Sequence, residues 1–386
     1  MRAYNERLVL TLVRRHGSLA KSQIAKITGL SAQTVSVIMR ALEAEDLLVR
    51  GTPKRGRVGQ PMVPLSLNPD GVFSLGLMVG RRSYEMMLMD FCGTIRDVRR
   101  MTFPYPTSGQ LLEFTTNAAR ELVDSLPRAL RGRVAALGVA TPFDMWNWGD
   151  IVGAPPGAMS EWRDFDVRQE IEAILSIPVH IQNDATAACG AELMLGRGTE
   201  YSEFLYIFVG LFAGGGVVLN GSIYPGKTGN AGALGSMPVP GPNGLIGKLL
   251  DTASIIRLER DIATAGEDPL KLYRTRGDWS PIENKALIDS WIKGASGNLA
   301  FAVAAACSVI DFPAVVIDGS FDDKTRISLC EAVRRELQQL DLSGIQTPEI
   351  IQGQVGSGAR AIGAACLPIF ERYLLDQTNL LKGQAG

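Results

Sequence analysis

Residues 182–192 read Gln182-Asn183-Asp184-Ala185-Thr186-Ala187-Ala188-Cys189-Gly190-Ala191-Glu192. The apolar run Pro178 to Ile181 before them reads as a strand, and the alanine-rich residues after them as a helix. An Asn-Asp pair at such a junction sets a carboxylate beside the free N–H groups and positive dipole end of the helix. The pair serves either as a helix cap or as a ligand-binding carboxylate. A carboxylate there accepts hydrogen bonds from sugar hydroxyls and can deprotonate one.

The sequence on either side suits the second use. Asn68-Pro69-Asp70-Gly71 is a turn and a plausible domain boundary. Strands follow at 72–79, 83–90 and 94–103, then a helix at 108–125 and a strand at 134–141. A long loop leads to a helix at 166–175 and the strand before Asn183. Downstream, strands are expected at 204–209, 216–219, 314–317 and 349–351, with helices across 283–310 and 323–340 and a last helix from about Ala359. Three antiparallel strands followed by α/β alternation, given twice, define a two-lobed body of the actin, sugar-kinase and Hsp70 type, a ribonuclease H-like fold. Ligands of such bodies sit in the cleft between lobes. The expected division is 69–195 with 356–386 for the first lobe and 196–355 for the second.

Residues 1–68 have a different character. They predict a helix over 5–15, a short helix over 21–28 with Ile24, Ala25 and Ile27 inward, and a turn at Gly29. Ser31 caps a third helix that runs to about Ala44, with Val35, Ile38 and Leu42 as its buried stripe. This leaves Ser31, Ala32, Gln33, Thr34, Ser36 and Arg40 near the start or on the outer face. Small and polar groups there reach base edges in a major groove. Two short strands, 47–49 and 62–67, flank a Gly/Pro-rich loop whose Lys54, Arg55 and Arg57 suit phosphates or a narrow minor groove. The order of helix, helix-turn-helix and basic wing describes a winged helix-turn-helix. Residues 1–60 hold 3 Lys and 8 Arg against 3 Glu and 1 Asp, a net +7, while the whole chain carries −1. A basic head on an acidic body fits a DNA-binding module joined to a body that does not bind DNA.

With 386 residues the chain accommodates two or three domains, and no run of 18 apolar residues suggests a membrane span. The first residues lack a signal-peptide pattern, so a cytoplasmic location is expected. The five cysteines form no CxC or CxxC pair, which supports neither a disulfide framework nor a zinc knuckle.

Both parts resemble the ROK family of repressors and sugar kinases. In the head the resemblance lies in Asn5, Thr28-Gly29-Leu30-Ser31 and Gly59-Gln60-Pro61. In the body it lies in Gly153-Ala154-Pro155, Asn183-Asp184-Ala185 with Glu192, Gly214-Gly215-Gly216 with Asn220-Gly221, Gly229 with Ala231-Gly232, and the closing Ala361-Ile-Gly-Ala-Ala365. The resemblance implies a sugar-related ligand, with Asp184 at the place of the kinases' catalytic base. It also implies Gly153, Ala154, Asn183 and Asn230 around the ligand.

The chain departs from the kinase pattern in several places. The family's Asp-x-Gly-Gly-Thr is Met78-Val79-Gly80-Arg81-Arg82, and methionine cannot hold Mg²⁺. Its Gly-Thr-Gly-x-Gly is Gly210-Leu211-Phe212-Ala213-Gly214, and its later Gly-Gly-Gly is Asp318-Gly319-Ser320. The zinc motif's His and Cys residues are absent, with Ala233 at the His position, so no metal is expected. Arg81 and Arg82 read as solvated turn residues or partners for the acidic body or, alternatively, as an anion site for a ligand such as a phosphorylated sugar. The aromatic loops 143–148 and Trp162 read equally as packed loop core or a dimer contact, or as a platform for a sugar ring. The expectation is a regulator without cofactor or ATP turnover. Its partners would be operator DNA, a sugar or sugar derivative, and further copies of itself in a homodimer or larger homo-oligomer. A ROK-type hexose kinase is the alternative.

Overall fold

The computed structural model describes residues 4–53, 62–143, 145–241 and 244–375. The head opens with α1 (Tyr4–His16), α2 (Lys21–Thr28) and α3 (Ala32–Ala44). Gly29 closes α2 in the left-handed conformation at φ 69°, and the Ser31 hydroxyl caps α3 by accepting the Thr34 N–H. Val35, Met39 and Leu42 form the buried stripe of α3, with Ile38 packed at its margin. Ile27 is exposed rather than inward, because the short α2 turns only the face around Ile24 into the core. β1 (Leu48–Arg50) and β2 (Leu65–Leu67) pair antiparallel as the stem of the wing. Lys54, Arg55, Arg57 and Gly59-Gln60-Pro61 lie outside the described residues.

The first sheet of the body contains β3 (Phe73–Val79), β4 (Ser83–Asp90), β5 (Ile95–Thr102), β6 (Val134–Thr141) and β7 (Val179–Asn183) in spatial order β5-β4-β3-β6-β7. The first three are antiparallel, and β6 and β7 run parallel to β3. Helices α4 (Ser108–Asp124), α5 (Gly149–Val152) and α6 (Val167–Leu175) connect these strands, and α7 (Asp184–Leu195) leaves the last of them.

The second sheet repeats the design with β8 (Phe204–Val209), β9 (Ala213–Leu219) and β10 (Ser222–Ile223). A ribbon, β11 (Pro238–Pro240) and β12 (Ile246–Lys248), and helices α8 (Leu249–Ala253), α9 (Ile255–Thr264), α10 (Lys271–Arg274) and α11 (Lys285–Cys307) follow. Then come β13 (Ala314–Gly319), α12 (Asp323–Leu337), β14 (Glu349–Gln352) and α13 (Ala359–Tyr373). The order β10-β9-β8-β13-β14 matches the first sheet position by position. β9 starts three residues before the expected Gly216, because its Ala-Gly-Gly-Gly opening lacks the bulky residues by which a strand is recognised. No helix among the described residues is long and apolar enough to cross a membrane.

Helix α13 returns to cover the first sheet and packs along α7. The approach is close enough to require glycine. A Cβ on Gly138 of β6 would lie 1.8 Å from the Ala364 carbonyl oxygen, and one on Gly363 would lie 1.8 Å from that of Ala187. The far end of α13 meets the head. Arg7 Nε donates to the Leu374 carbonyl at 2.7 Å, and the Leu375 N–H donates to Thr11 Oγ1 at 2.9 Å. One apolar cluster runs through Val9, Leu12 and Val13 of α1, Phe91 beside the sheet, and Ile369 and Tyr373 of α13. Arg133 of the body also pairs with Asp46 of the head at 2.7 Å.

Candidate functional site

Asn183 ends β7 and is the N-cap of α7; its Oδ1 accepts the N–H groups of Ala185 at 3.1 Å and Thr186 at 3.3 Å. Capping therefore falls to Asn183. Asp184 Oδ1 accepts the Ala185 N–H at 3.0 Å, and Oδ2 faces Arg360 Nη1 at 3.4 Å. Arg360, the second residue of α13, also donates to Ser320 Oγ at 3.3 Å and stands 5.2 Å from the centre of the Phe208 ring. Sequence reasoning missed Arg360, which lies 176 residues from its partner and outside any local motif.

Arg81 and Arg82 follow β3 in the turn to β4, and neither is a solvated turn residue: each is only 8% exposed. The second lobe covers the turn. Arg82 donates through Nε to Glu259 of α9 at 3.2 Å and through Nη1 to the Val152 carbonyl at 2.9 Å, with further bonds to Glu259 Oε1 and the Pro104 carbonyl. Glu259 also accepts the Tyr273 hydroxyl at 2.8 Å, and burial, reinforced by the Glu259 charge, holds that phenol well above its ordinary pKa. This ion pair clasps the lobes together.

Arg81 has no such partner. Its guanidinium carbon lies 4.9 Å from the Trp148 ring centre and 4.4 Å from that of Phe212, and the two rings are 4.3 Å apart. Burial pushes its pKa down to about 10, against the charge of Asp184 and with that of Arg360. A third buried group, Glu85 of β4, faces Arg276 at 3.3 Å and Arg100 at 3.7 Å.

Trp162 is a correction to the ligand platform. It is buried in the first lobe's core, and its indole N–H donates to the Pro106 carbonyl at 3.1 Å. Of the aromatic loop, Trp148 alone joins Arg81 and Phe212 where the lobes meet. Gly153 ends α5 at φ 70°, and the Ala154 N–H donates to the Gly149 carbonyl at 2.9 Å. Asn230 is exposed on the loop between β10 and β11. Met78 and Leu211 are both buried, Leu211 in the second lobe's core. Glu192 is fully buried and accepts N–H groups from Arg197 at 3.0 Å, Gln354 at 3.0 Å and Val355 at 3.1 Å, which ties α7 to the loop after β14.

A cavity of about 840 Å³ opens in the second lobe beside Phe321, Asp322, Arg326, Gly356 and Ser357. Asp318, buried next to it, is pushed up to about 6 by burial, although Arg326 stands 3.1 Å away and the N–H groups of Gly319 and Gly356 donate to it.

On the head, Ser31 and Thr34 bond each other at 2.8 Å in the cap of α3. Ala32, Gln33 and Arg40 are exposed, and Ser36 is half-buried 3.4 Å from Lys21 Nζ. Val37, 54% exposed, shares this outer face. An attention to polar residues overlooked it, yet an exposed apolar side chain there is suited to a thymine methyl group.

The fold and site define a class: a helix-turn-helix head on a two-lobed, sugar-kinase-type body. Residues 74–249 match the ROK family, and residues 2–49 match the winged helix-turn-helix DNA-binding family. The chain thus carries a ROK-family domain behind a winged helix-turn-helix head. It is 26% identical to the uncharacterized protein y4fQ of Sinorhizobium fredii, over 96% of this chain and 91% of that one. It is 26% identical to a putative xylose repressor of Caldicellulosiruptor, over 61% of this chain and 58% of the relative. Among solved structures it is similar to a ROK family transcriptional regulator homologous to the Escherichia coli Mlc protein. The TM-score is 0.66 at 17% identity, over 98% of this chain and 96% of that one. The body is also similar to the ROK glucokinase of Streptomyces griseus, with a TM-score of 0.60 at 19% identity, over 76% of this chain and 98% of that one.

Proposed function

We propose that this protein is a sequence-specific transcriptional repressor of carbohydrate-metabolism genes that senses a sugar or sugar derivative beside Asp184. One observation carries the reading. Helix α13 presents Arg360 to Asp184 at one end, and its C-terminal residues are hydrogen-bonded to α1 of the DNA-binding head. A ligand that displaces Arg360 from Asp184 shifts the seat of α13 and with it the head. Different affinities for the two arrangements then become different affinities for operator DNA. The similarity to a xylose repressor supports the sugar class. Asn183, Asp184, Gly153, Ala154 and Asn230 are the proposed ligand contacts. Gln33, Ser36, Val37 and Arg40 are the proposed base-reading face, and Lys54, Arg55 and Arg57 the wing contacts. The protein acts as a homodimer in the cytoplasm, with two heads on paired half-sites.

The test begins with selection of a binding sequence from random duplexes, followed by titration of operator affinity against pentoses and hexoses. A sugar-dependent loss of affinity that Asp184→Ala removes, with DNA binding retained, is expected. Equal sugar response in Asp184→Ala places the ligand elsewhere.

A second reading, a sugar kinase with a DNA-binding appendage, draws on the 840 Å³ cavity beside Asp318 and Phe321. We infer that ATP is not turned over, because Met78 offers no metal oxygen and Arg81 occupies the phosphate turn. Asp184-dependent ATP consumption with any sugar of the panel would reverse that conclusion.

A further inference from the structure

Arg81 is a charged side chain held inside the protein without an acceptor. It is 8% exposed, its Nε is sealed from solvent, and among the described residues no group accepts a hydrogen bond from it or forms an ion pair with it. Buried charges are ordinarily paired, because desolvation of an ion is recovered only by an opposite charge and hydrogen bonds. The rings of Trp148 and Phe212 recover part of that cost through their π faces. The nearby carboxylate, Asp184, is already engaged by Arg360 and by the Ala185 N–H of α7.

The charge balance of the surrounding wall points the same way. Arg82 is matched by Glu259. Among the described residues, Glu85 faces both Arg100 and Arg276, and Asp184 pairs with Arg360 while its charge also acts on Arg81. Among the described residues, five arginines therefore meet three carboxylates here, a surplus of two positive charges. Bulk water cannot supply the missing acceptor as a full charge, whereas an anionic ligand can.

We propose that Arg81, with Arg360 beside it, forms an anion subsite and that the sensed ligand is a negatively charged sugar derivative. Its ring hydroxyls reach Asn183 and Asp184, and its anionic group takes the guanidinium fork of Arg81 between Trp148 and Phe212. A phosphate monoester, carrying nearly two negative charges, matches the whole surplus; a sugar carboxylate matches half of it. The inference rests on the ligand-sensing reading above and specifies the ligand's charge.

The full-length protein would be titrated calorimetrically with glucose and xylose, with the phosphate esters of each, with gluconate, glucuronate and xylonate, and with inorganic phosphate. Melting curves would be recorded in parallel. At least one charged form is expected to bind roughly 10- to 100-fold more tightly than its neutral parent, the range expected of hydrogen bonds to a charged group. The ester and acid arms distinguish the two sources of charge. Arg81→Met should abolish the preference while leaving the melting temperature of the unliganded protein unchanged or higher, since it removes an unpaired buried charge. A purely structural stacking role would instead lower that temperature. Should Arg81→Met not fold, Arg81→Lys carries the test: it keeps the charge without the fork, so the preference should shrink and neutral binding stay constant. Neutral sugars binding as tightly as charged ones, or an undiminished preference in either folded variant, overturns the anion subsite and leaves ligand sensing intact. Binding of no sugar in either form overturns both.

Discussion

Asp318 sits fully buried at the end of β13, and burial raises its pKa from the usual carboxylate range to about 6. The folded state therefore holds a proton that the unfolded state releases between about pH 4 and pH 6. Stability from this group is greatest below the unfolded pKa and falls as pH rises through 6, by up to about 3 kcal/mol at 1.36 kcal/mol per unit. Urea unfolding of the native protein and of Asp318→Asn across pH 4–7 should show this slope in the difference between them; parallel curves would contradict it. The Arg82–Glu259 pair makes a second prediction at this scale. Arg82→Met leaves Glu259 buried without its cation and should cost about 3–5 kcal/mol, whereas the double variant with Glu259→Met should recover most of the loss. Ser31→Ala removes the cap of α3 and should cost about 1 kcal/mol, measured on the head's unfolding transition.

Among the elements, α13 carries the tightest packing described above. Gly138→Ala sets a methyl group 1.8 Å from the Ala364 carbonyl, so the helix must shift or β6 must bend. A loss of about 3 kcal/mol or more is expected in denaturant melts, at or beyond the upper end of ordinary overpacking. The elements themselves were largely legible in the sequence. Strands β3 to β8, the long helices and α13 announce themselves by apolar periodicity and by the turns between them. The β11–β12 ribbon and helices α8 to α10 were not legible, because each is only three to ten residues long. The site was legible in part. Asn183-Asp184 stands at a recognisable strand-to-helix junction, and Arg81 and Arg82 stand where a phosphate turn is expected. Which arginine finds a partner depends on Glu259 and Arg360, far along the chain, and on how the lobes close. Nothing local to Trp162 marks it as core, since its environment is assembled from α4, α6 and the loops around them.

For the whole molecule, the joint between head and body is the feature on which regulation should depend. Arg7 and Thr11 of α1 hold Leu374 and Leu375 just beyond α13. Arg7→Ala combined with Thr11→Val should leave operator affinity without sugar nearly unchanged and sugar binding intact. The coupling between them, ordinarily about 5- to 150-fold, should fall toward unity. Operator titrations with and without saturating sugar measure it directly, and retained coupling would mean that the signal travels by another route.

That same joint has a consequence for the order in which the protein assembles. Its partners are 367 residues apart in sequence, among the most distant contacts in the described chain. The head's own helix-turn-helix contacts are local, so it can fold early during synthesis, whereas its seat on α13 exists only once that helix has been made. A chain halted before residue 359 would therefore carry a finished DNA-reading surface without the helix that links it to Asp184. Such a product should occupy the operator whatever the sugar supply, so that an interrupted translation product acts as a dominant, unresponsive silencer of the very genes the complete protein would release.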